Sequence, residues 1–248
     1  VYADRATHLG DPDSWDVPVK KLLNNNYLKS RMTDFEIDKA TSSKAISAGT
    51  FPPKESEQTT HFSIVDKDRN AVSITTTINS GYGSKTFVTG AGFLLNNEMD
   101  DFSSKPGSPN LYGLIGGEAN AIAPGKRMLS SMTPTIVEKE GNLFMVLGTP
   151  GGSTIITSVF QNILNVIDHG MGMQESVDAL RFHHQWRPDT IFIEADALTL
   201  ETISALTQMG HTVLERSSIG KVDAILILED GTLQGGADSR GDDYAAGY

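Results

Sequence analysis

Thr59, Thr60 and His61 stand where a polar, proline-containing stretch meets an alternating β-branched run. A threonine serves as nucleophile and base together when its backbone amine is free. An α-amine titrates at about 7.7–8.0 and can take the proton of its own hydroxyl. Thr59 meets that condition only if the chain is cut after Gln58, which otherwise acylates its nitrogen. Thr77 offers a second hydroxyl nearby. The runs 61–65 and 71–78 flank a polar turn, 66–70, and predict a β-hairpin. A five-residue loop pairs Thr77 with Thr59, whereas a four-residue loop pairs it with Thr60. A one-residue slip inverts every face, so the pattern leaves both registers open.

Other groups add to this chemistry. Glu98 and Asp101, in Leu95-Asn96-Asn97-Glu98-Met99-Asp100-Asp101, read either as solvated surface or as acceptors for a ligand's ammonium. Ser130 and Ser131 are either plain loop or two hydroxyl donors for a carboxylate. Gly151 and Gly152 follow Pro150 between a strand and a helix, where backbone N–H groups can face an anion. Their spacing fits neither phosphate-loop pattern, but the same geometry makes an oxyanion hole. His183 and His184 alternate across a strand with no third ligand at helical spacing, so they read as structural.

These groups need elements to hold them. A strand over 142–147 enters the glycine turn, and a helix follows with Ile155, Ile156, Val159, Phe160, Ile163, Leu164 and Ile167 on its apolar face. Gly170 suits its C-terminal stop. Further helices are predicted near 27–32, 174–180 and 198–209. Strands are predicted at 190–194, 211–215 and 223–228, with Asp230-Gly231 turning into 232–234. The segment 40–58 reads as an exposed loop that tolerates a cut, and 106–117, rich in Pro and Gly, as a mobile loop. Paired strands with helices between them give an α+β layered sandwich.

Composition narrows the classes. A net charge of −11 with pI near 4.9 argues against a nucleic-acid surface. The absence of cysteine excludes disulfides, thiolate metal sites and cysteine nucleophiles. No run approaches the roughly 18 apolar residues of a membrane span. The start, Val1-Tyr2-Ala3-Asp4-Arg5, carries neither an initiator methionine nor a hydrophobic leader, so the chain is expected to be a piece of a longer one.

Together, Gln58-Thr59-Thr60-His61, Leu95–Ser103, Ser130-Ser131-Met132, Pro150-Gly151-Gly152-Ser153 and Arg181–Trp186 resemble the gamma-glutamyltransferase (gamma-glutamyltranspeptidase) family over nearly the whole chain. The resemblance implies an N-terminal-nucleophile hydrolase fold, an αββα sandwich, and a precursor that cleaves itself between Gln58 and Thr59. Residues 1–58 then match the end of the large subunit and 59–248 the small subunit. The resemblance implies Thr59 as nucleophile, Thr77 as its positioning partner, and Gly151 and Gly152 as the oxyanion hole. It gives Asn79, Glu98 and Asp101 to the substrate α-amino group, Ser130 and Ser131 to the α-carboxylate, and Tyr112 to a lid. It implies no cofactor and no metal, a heterodimer with the rest of the large subunit, and a periplasmic or secreted location. A family arginine from the early large subunit has no counterpart here, and Arg127 is not its equivalent. The implied reaction moves a γ-glutamyl group from an amide such as glutathione to water, an amino acid or a peptide. The rival enzyme reading is a glutaryl acylase, which would have no use for an ammonium site at Glu98 and Asp101. The rival of another class is a binding module that never processes.

Overall fold

The computed structural model describes residues 1–46 and 59–247. Strands β1 (Thr59–Val65) and β2 (Ala71–Thr77) form the expected hairpin. Its register pairs Thr59 with Thr77 and Val65 with Ala71, the five-residue-loop solution. Asp66 decides it: its side chain accepts from the N–H groups of Asp68 and Asn70, which closes the longer turn.

A second sheet runs in the order β11 (Leu233–Ala237), β10 (Asp223–Ile227), β6 (Asn142–Gly148), β5 (Thr135–Lys139), all antiparallel. One face carries α4 (Ile155–Ile167) and α5 (Met173–Asp178); the other receives the hairpin. Met145 and Leu147 of β6, Ile155 and Val159 of α4, Val177 of α5 and Leu226 of β10 belong to the main core. The helix face differs from the predicted one. Ser158, Asn162 and Val166 are buried, whereas Phe160 and Ile167 are exposed. The reason is polar pairing, because Ser176 Oγ donates to Asn162 Oδ1 at 3.0 Å and draws that side of the helix inward.

The hairpin inverts the usual binary pattern. His61, Ser63, Ser73 and Thr75 face the second sheet, and Phe62, Ile64, Val72 and Ile74 face outward, each at least 40% exposed. Two hydroxyls stitch the layers together: Ser63 to the Asp223 carbonyl (3.2 Å) and Ser73 to the Leu147 carbonyl (3.0 Å). The described residues thus build an α-β-β stack, three of the four layers of the expected αββα sandwich.

Outside this stack, β7 (Phe182–His183), β8 (Ile191–Ile193) and β9 (Val213–Glu215) make a small sheet, with α6 (Leu200–Gln208) linking the parallel pair β8 and β9. Short strands β3 (Phe87–Val88) and β4 (Phe93–Leu94) pair by themselves. Three short helices precede the hairpin: α1 (Tyr2–His8), α2 (Val19–Leu22) and α3 (Asn25–Ser30). The third starts two residues before its predicted place because Asn24 caps it, accepting from Asn26 N and Tyr27 N.

One loop expectation holds where it can be seen and another changes. Of the segment 40–58, residues 40–46 are loop and mostly exposed, apart from Ser43, which is buried with its N–H and hydroxyl both donating to Asp189 at 2.8 Å. The remainder, Gln58 included, lies outside the described residues. The 106–117 segment is fastened rather than loose. Leu111 N donates to Asp100 (2.7 Å), Gln185 donates to the Tyr112 carbonyl (3.1 Å), and Ile115 is buried. No described helix is long and apolar enough to cross a membrane.

Candidate active site

Strand β1 delivers Thr59 at its first residue, and β2 ends at Thr77 directly opposite. The chain then turns at Asn79, which adopts φ 75° and is buried. Asn79 N donates to Thr77 Oγ1 at 2.9 Å, so the turn itself aims the second hydroxyl. Asn79 Nδ2 donates to the Asn97 carbonyl, and Asn97 bonds back to Ser80 N and Oγ. This ladder brings the acidic turn 98–101 beside the hairpin end.

Thr59, Thr77, Asn79, Asp101, Tyr112, Ser130, Ser131 and Gly152 line one cavity of about 20 Å³, together with Met132 and Ile155. Of the predicted set, Glu98 and Gly151 do not line this cavity. Glu98 shares a hydrogen bond with Asp101, and Gly151 precedes the 3₁₀ turn Gly152–Thr154 that starts α4. Gly151 and Gly152 take φ of 139° and 56°, conformations that L side chains rarely adopt. A Cβ on Gly152 would stand 2.7 Å from the Tyr112 ring. No described residue accepts a hydrogen bond from the N–H of either glycine. A developing oxyanion could use both donors.

The cavity holds about one water, which is too small for an amino acid. Tyr112 closes it by donating its hydroxyl to the Asn79 carbonyl and Oδ1. Burial, aided by neighbouring Glu98, pushes Asp101 up to about 7, and burial raises Glu98 as well. Two carboxylates this close resist ionising together unless a cation joins them.

Three supporting features escaped sequence reasoning. His61 is buried between Thr75 Oγ1 (2.8 Å) and Ser63 Oγ (3.1 Å), and burial lowers it to about 4, so it stays neutral. Its ring fills the space over Gly148, where a Cβ would approach His61 Cε1 to 2.2 Å. The nucleophile strand and the strand feeding the oxyanion turn are therefore spaced by an imidazole. Helix α1 is the second feature: Tyr2 Oη donates to the Ser153 carbonyl (2.7 Å), and Ala6 joins Tyr2, Ile115 and Trp186 in a second core. Its signal was legible, since Tyr2, Arg5 and Ala6 share one helical face. The third is Arg5, whose Nη2 donates to Ser131 Oγ at 3.0 Å. Arg127, as expected, is elsewhere and pairs with Asp11 and Asp13.

The paired histidines are structural. His183 is fully buried between Thr157 Oγ1 (2.7 Å) and Gln185 Oε1 (2.9 Å), and His184 faces Asp189. Among the described residues no group of three His, Cys, Asp or Glu side chains could hold a metal.

The family model for gamma-glutamyltranspeptidase matches residues 1–248. The glutathione hydrolase proenzyme of Escherichia coli K12 is 48% identical over 249 residues, covering 100% of this chain and 43% of that protein. The chain spans less than half the length of the curated relatives it matches. Among solved structures, the T380A mutant of Helicobacter pylori gamma-glutamyltranspeptidase superposes with a TM-score of 0.72 at 53% identity, over 73% of this chain and 100% of that one. A cephalosporin acylase from Bacillus halodurans gives a TM-score of 0.82 at 24% identity, over 100% of this chain and 42% of that one, which is a likeness of fold. These neighbours share the N-terminal-nucleophile hydrolase fold. By sequence over its full length, and by fold, the chain belongs to the gamma-glutamyltranspeptidase family.

Proposed function

We propose that this chain is the C-terminal part of a self-processing gamma-glutamyltransferase and glutathione hydrolase, with 1–58 ending the large subunit and 59–248 forming the small one. The observation that carries the reading is the convergence on one cavity of a strand-initial Thr59, Thr77, Asp101, Ser130, Ser131 and Gly152. In maturation, Thr59 Oγ attacks the Gln58 carbonyl carbon, the peptide C–N bond breaks, and water hydrolyses the resulting ester. This leaves a Gln58 carboxylate and a free Thr59 amine.

In turnover, that amine takes the Thr59 hydroxyl proton, and Oγ attacks the γ-carbonyl carbon of the donor. The oxyanion gathers on the Gly151 and Gly152 N–H groups. The leaving amine departs with the proton, and a γ-glutamyl ester remains on Thr59. Water or an acceptor amine then attacks the ester and restores the hydroxyl. Asp101, Glu98 and Asn79 hold the donor's ammonium, while Ser130 and Ser131 hold its α-carboxylate. Tyr112 must withdraw from Asn79 to admit the donor.

The partner is the rest of the large subunit, which the outward apolar face of the hairpin would receive. The proposed location is the periplasm or the cell exterior, and fractionation of the expressing cells tests it.

The test uses the full-length precursor. Intact mass and N-terminal sequencing are expected to give two pieces, the second starting Thr59-Thr60-His61. The processed enzyme is expected to hydrolyse γ-glutamyl-p-nitroanilide in preference to glutaryl-p-nitroanilide. Thr59→Ala should stay uncut and inactive, and self-cleavage by that variant removes Thr59 as nucleophile. A preference for the glutaryl amide replaces the reading with an acylase.

A further inference from the structure

Arg5 lies on α1, in the segment before the cleavage point, yet it reaches the wall of the small-subunit cavity. It is buried, with only 9% of its surface exposed. Its Nη2–H donates to Ser131 Oγ. A guanidinium has no acceptor atom, so in this bond Ser131 must accept. The Ser131 proton is thereby turned away from Arg5 and remains available to donate into the cavity.

Behind the cavity that holds Thr59 lies a second one of about 110 Å³, lined among others by Arg5, Asp101, Ser103 and Ser131. The two cavities share Asp101 and Ser131 as a common wall. Arg5 therefore bonds Ser131 at one end of the ligand site and lines the same rear cavity as Asp101 at the other. One end would take a carboxylate and the other an ammonium. The charged groups around Asp101 are Glu98 and Asp100 on its own turn, Arg5 from α1 and, once the chain is cut, the Thr59 amine of the shared cavity, with Lys105 further along the rear cavity. In the uncut chain, Arg5 is the cation that acts on Asp101, against two carboxylates.

We propose that Arg5 is a positioning residue of the donor pocket, orienting the Ser131 hydroxyl toward the ligand carboxylate and balancing the charge of Asp101 from behind. The proposal rests on the γ-glutamyl reading of the site. It also gives the segment before the cut a role in substrate binding after the cut.

The measurement is steady-state hydrolysis of γ-glutamyl-p-nitroanilide across pH 5.5–9 by the matured full-length enzyme and its Arg5→Gln, Arg5→Lys and Ser131→Ala variants. Arg5→Gln is expected to raise KM about tenfold while kcat changes less than threefold. Its acid limb in kcat/KM is expected to move upward, because Asp101 loses its cation. Arg5→Lys should keep the limb near its wild-type place and restore KM in part, an outcome that a purely structural role does not produce. Adding Arg5→Gln to Ser131→Ala should raise KM less than it does in the wild type, since the hydroxyl it orients is gone. Arg5→Gln with KM within twofold of wild type and an unmoved limb overturns the proposal. If Arg5→Gln fails to mature, Arg5→Lys decides: wild-type KM overturns the proposal, and a raised KM with an unmoved limb supports it. A wild-type enzyme that cleaves itself but ignores the γ-glutamyl amide overturns the parent reading, and this proposal with it.

Discussion

At the scale of single residues, the site depends on protonation states set by burial. Asp101 sits near 7 because it is buried beside Glu98. Its raised value means that it is neutral below that pH and a carboxylate above it. An ammonium ligand needs the carboxylate, so donor KM is expected to climb about tenfold per unit as pH falls below 7. Asp101→Asn should raise KM by one to two orders of magnitude, the rough worth of a hydrogen bond to a charged group, and should flatten its dependence on pH. On the proposed mechanism the acid limb of kcat belongs to the Thr59 amine and should persist in that variant. A kcat limb that vanishes with Asp101 would contradict this division. Thr77 faces Thr59 with its own hydroxyl aimed by Asn79 N. Thr77→Val is expected to slow both self-cleavage and turnover by about a hundredfold, typical of a misplaced reacting group. Time courses of precursor loss and amide hydrolysis read both rates.

At the scale of elements, the spacing between β1 and β6 is set by His61 over Gly148. Gly148→Ala would force its Cβ to 2.2 Å from the ring, so a loss of about 1–3 kcal/mol is expected from overpacking. Chemical denaturation of the full-length enzyme measures it, and a change under 0.5 kcal/mol would remove the wedge. The same histidine carries a pH signature. Its folded value, about 4, lies below the ordinary 6.5, so the unfolded chain binds more protons between those values. Its contribution is present above pH 6.5 and is lost as pH falls toward 4. Asp101 and Asp223, both pushed up from 3.8 to about 7, act in the opposite sense: the unfolded chain ionises them first, so they cost stability progressively as pH rises between those values and fully above 7. A His61→Gln variant should therefore lose less thermal stability than wild type between pH 6.5 and 4.

At the scale of the whole molecule, the unusual feature is an apolar face turned outward. Four large side chains of the hairpin are exposed, while its polar face is buried against the second sheet. Such a patch marks an interaction surface, and the remainder of the large subunit is the partner proposed for it. The 248-residue chain alone is expected to self-associate and to bind a hydrophobic dye. Ile64→Lys should relieve both in the isolated chain yet lower the stability of the full-length enzyme. Equal dye binding by the isolated chain and the full-length protein would show that the face is not covered.

Much of the site was legible in the sequence, because its residues sit in short ordered motifs and its strands alternate strongly. Thr59, the glycine turn, the acidic turn and the paired serines were each legible as candidates, but residue type left a plain loop or surface reading open beside the chemical one, and their roles came from the family resemblance. The hairpin, the 155–167 helix and the layered class also followed from periodicity. The tertiary structure decided what depends on contacts between segments distant in the chain. It chose the Thr59–Thr77 register, since two loop lengths fitted the same pattern and the Asp66 turn favoured one. It turned the polar face of the hairpin inward, because hydroxyl bonds to Asp223 and Leu147 hold it there against the binary rule. It fastened Tyr112 over Asn79 in a segment that composition marked as loose. And it set Arg5 beside Ser131, more than a hundred residues away, a meeting that no local spacing encodes.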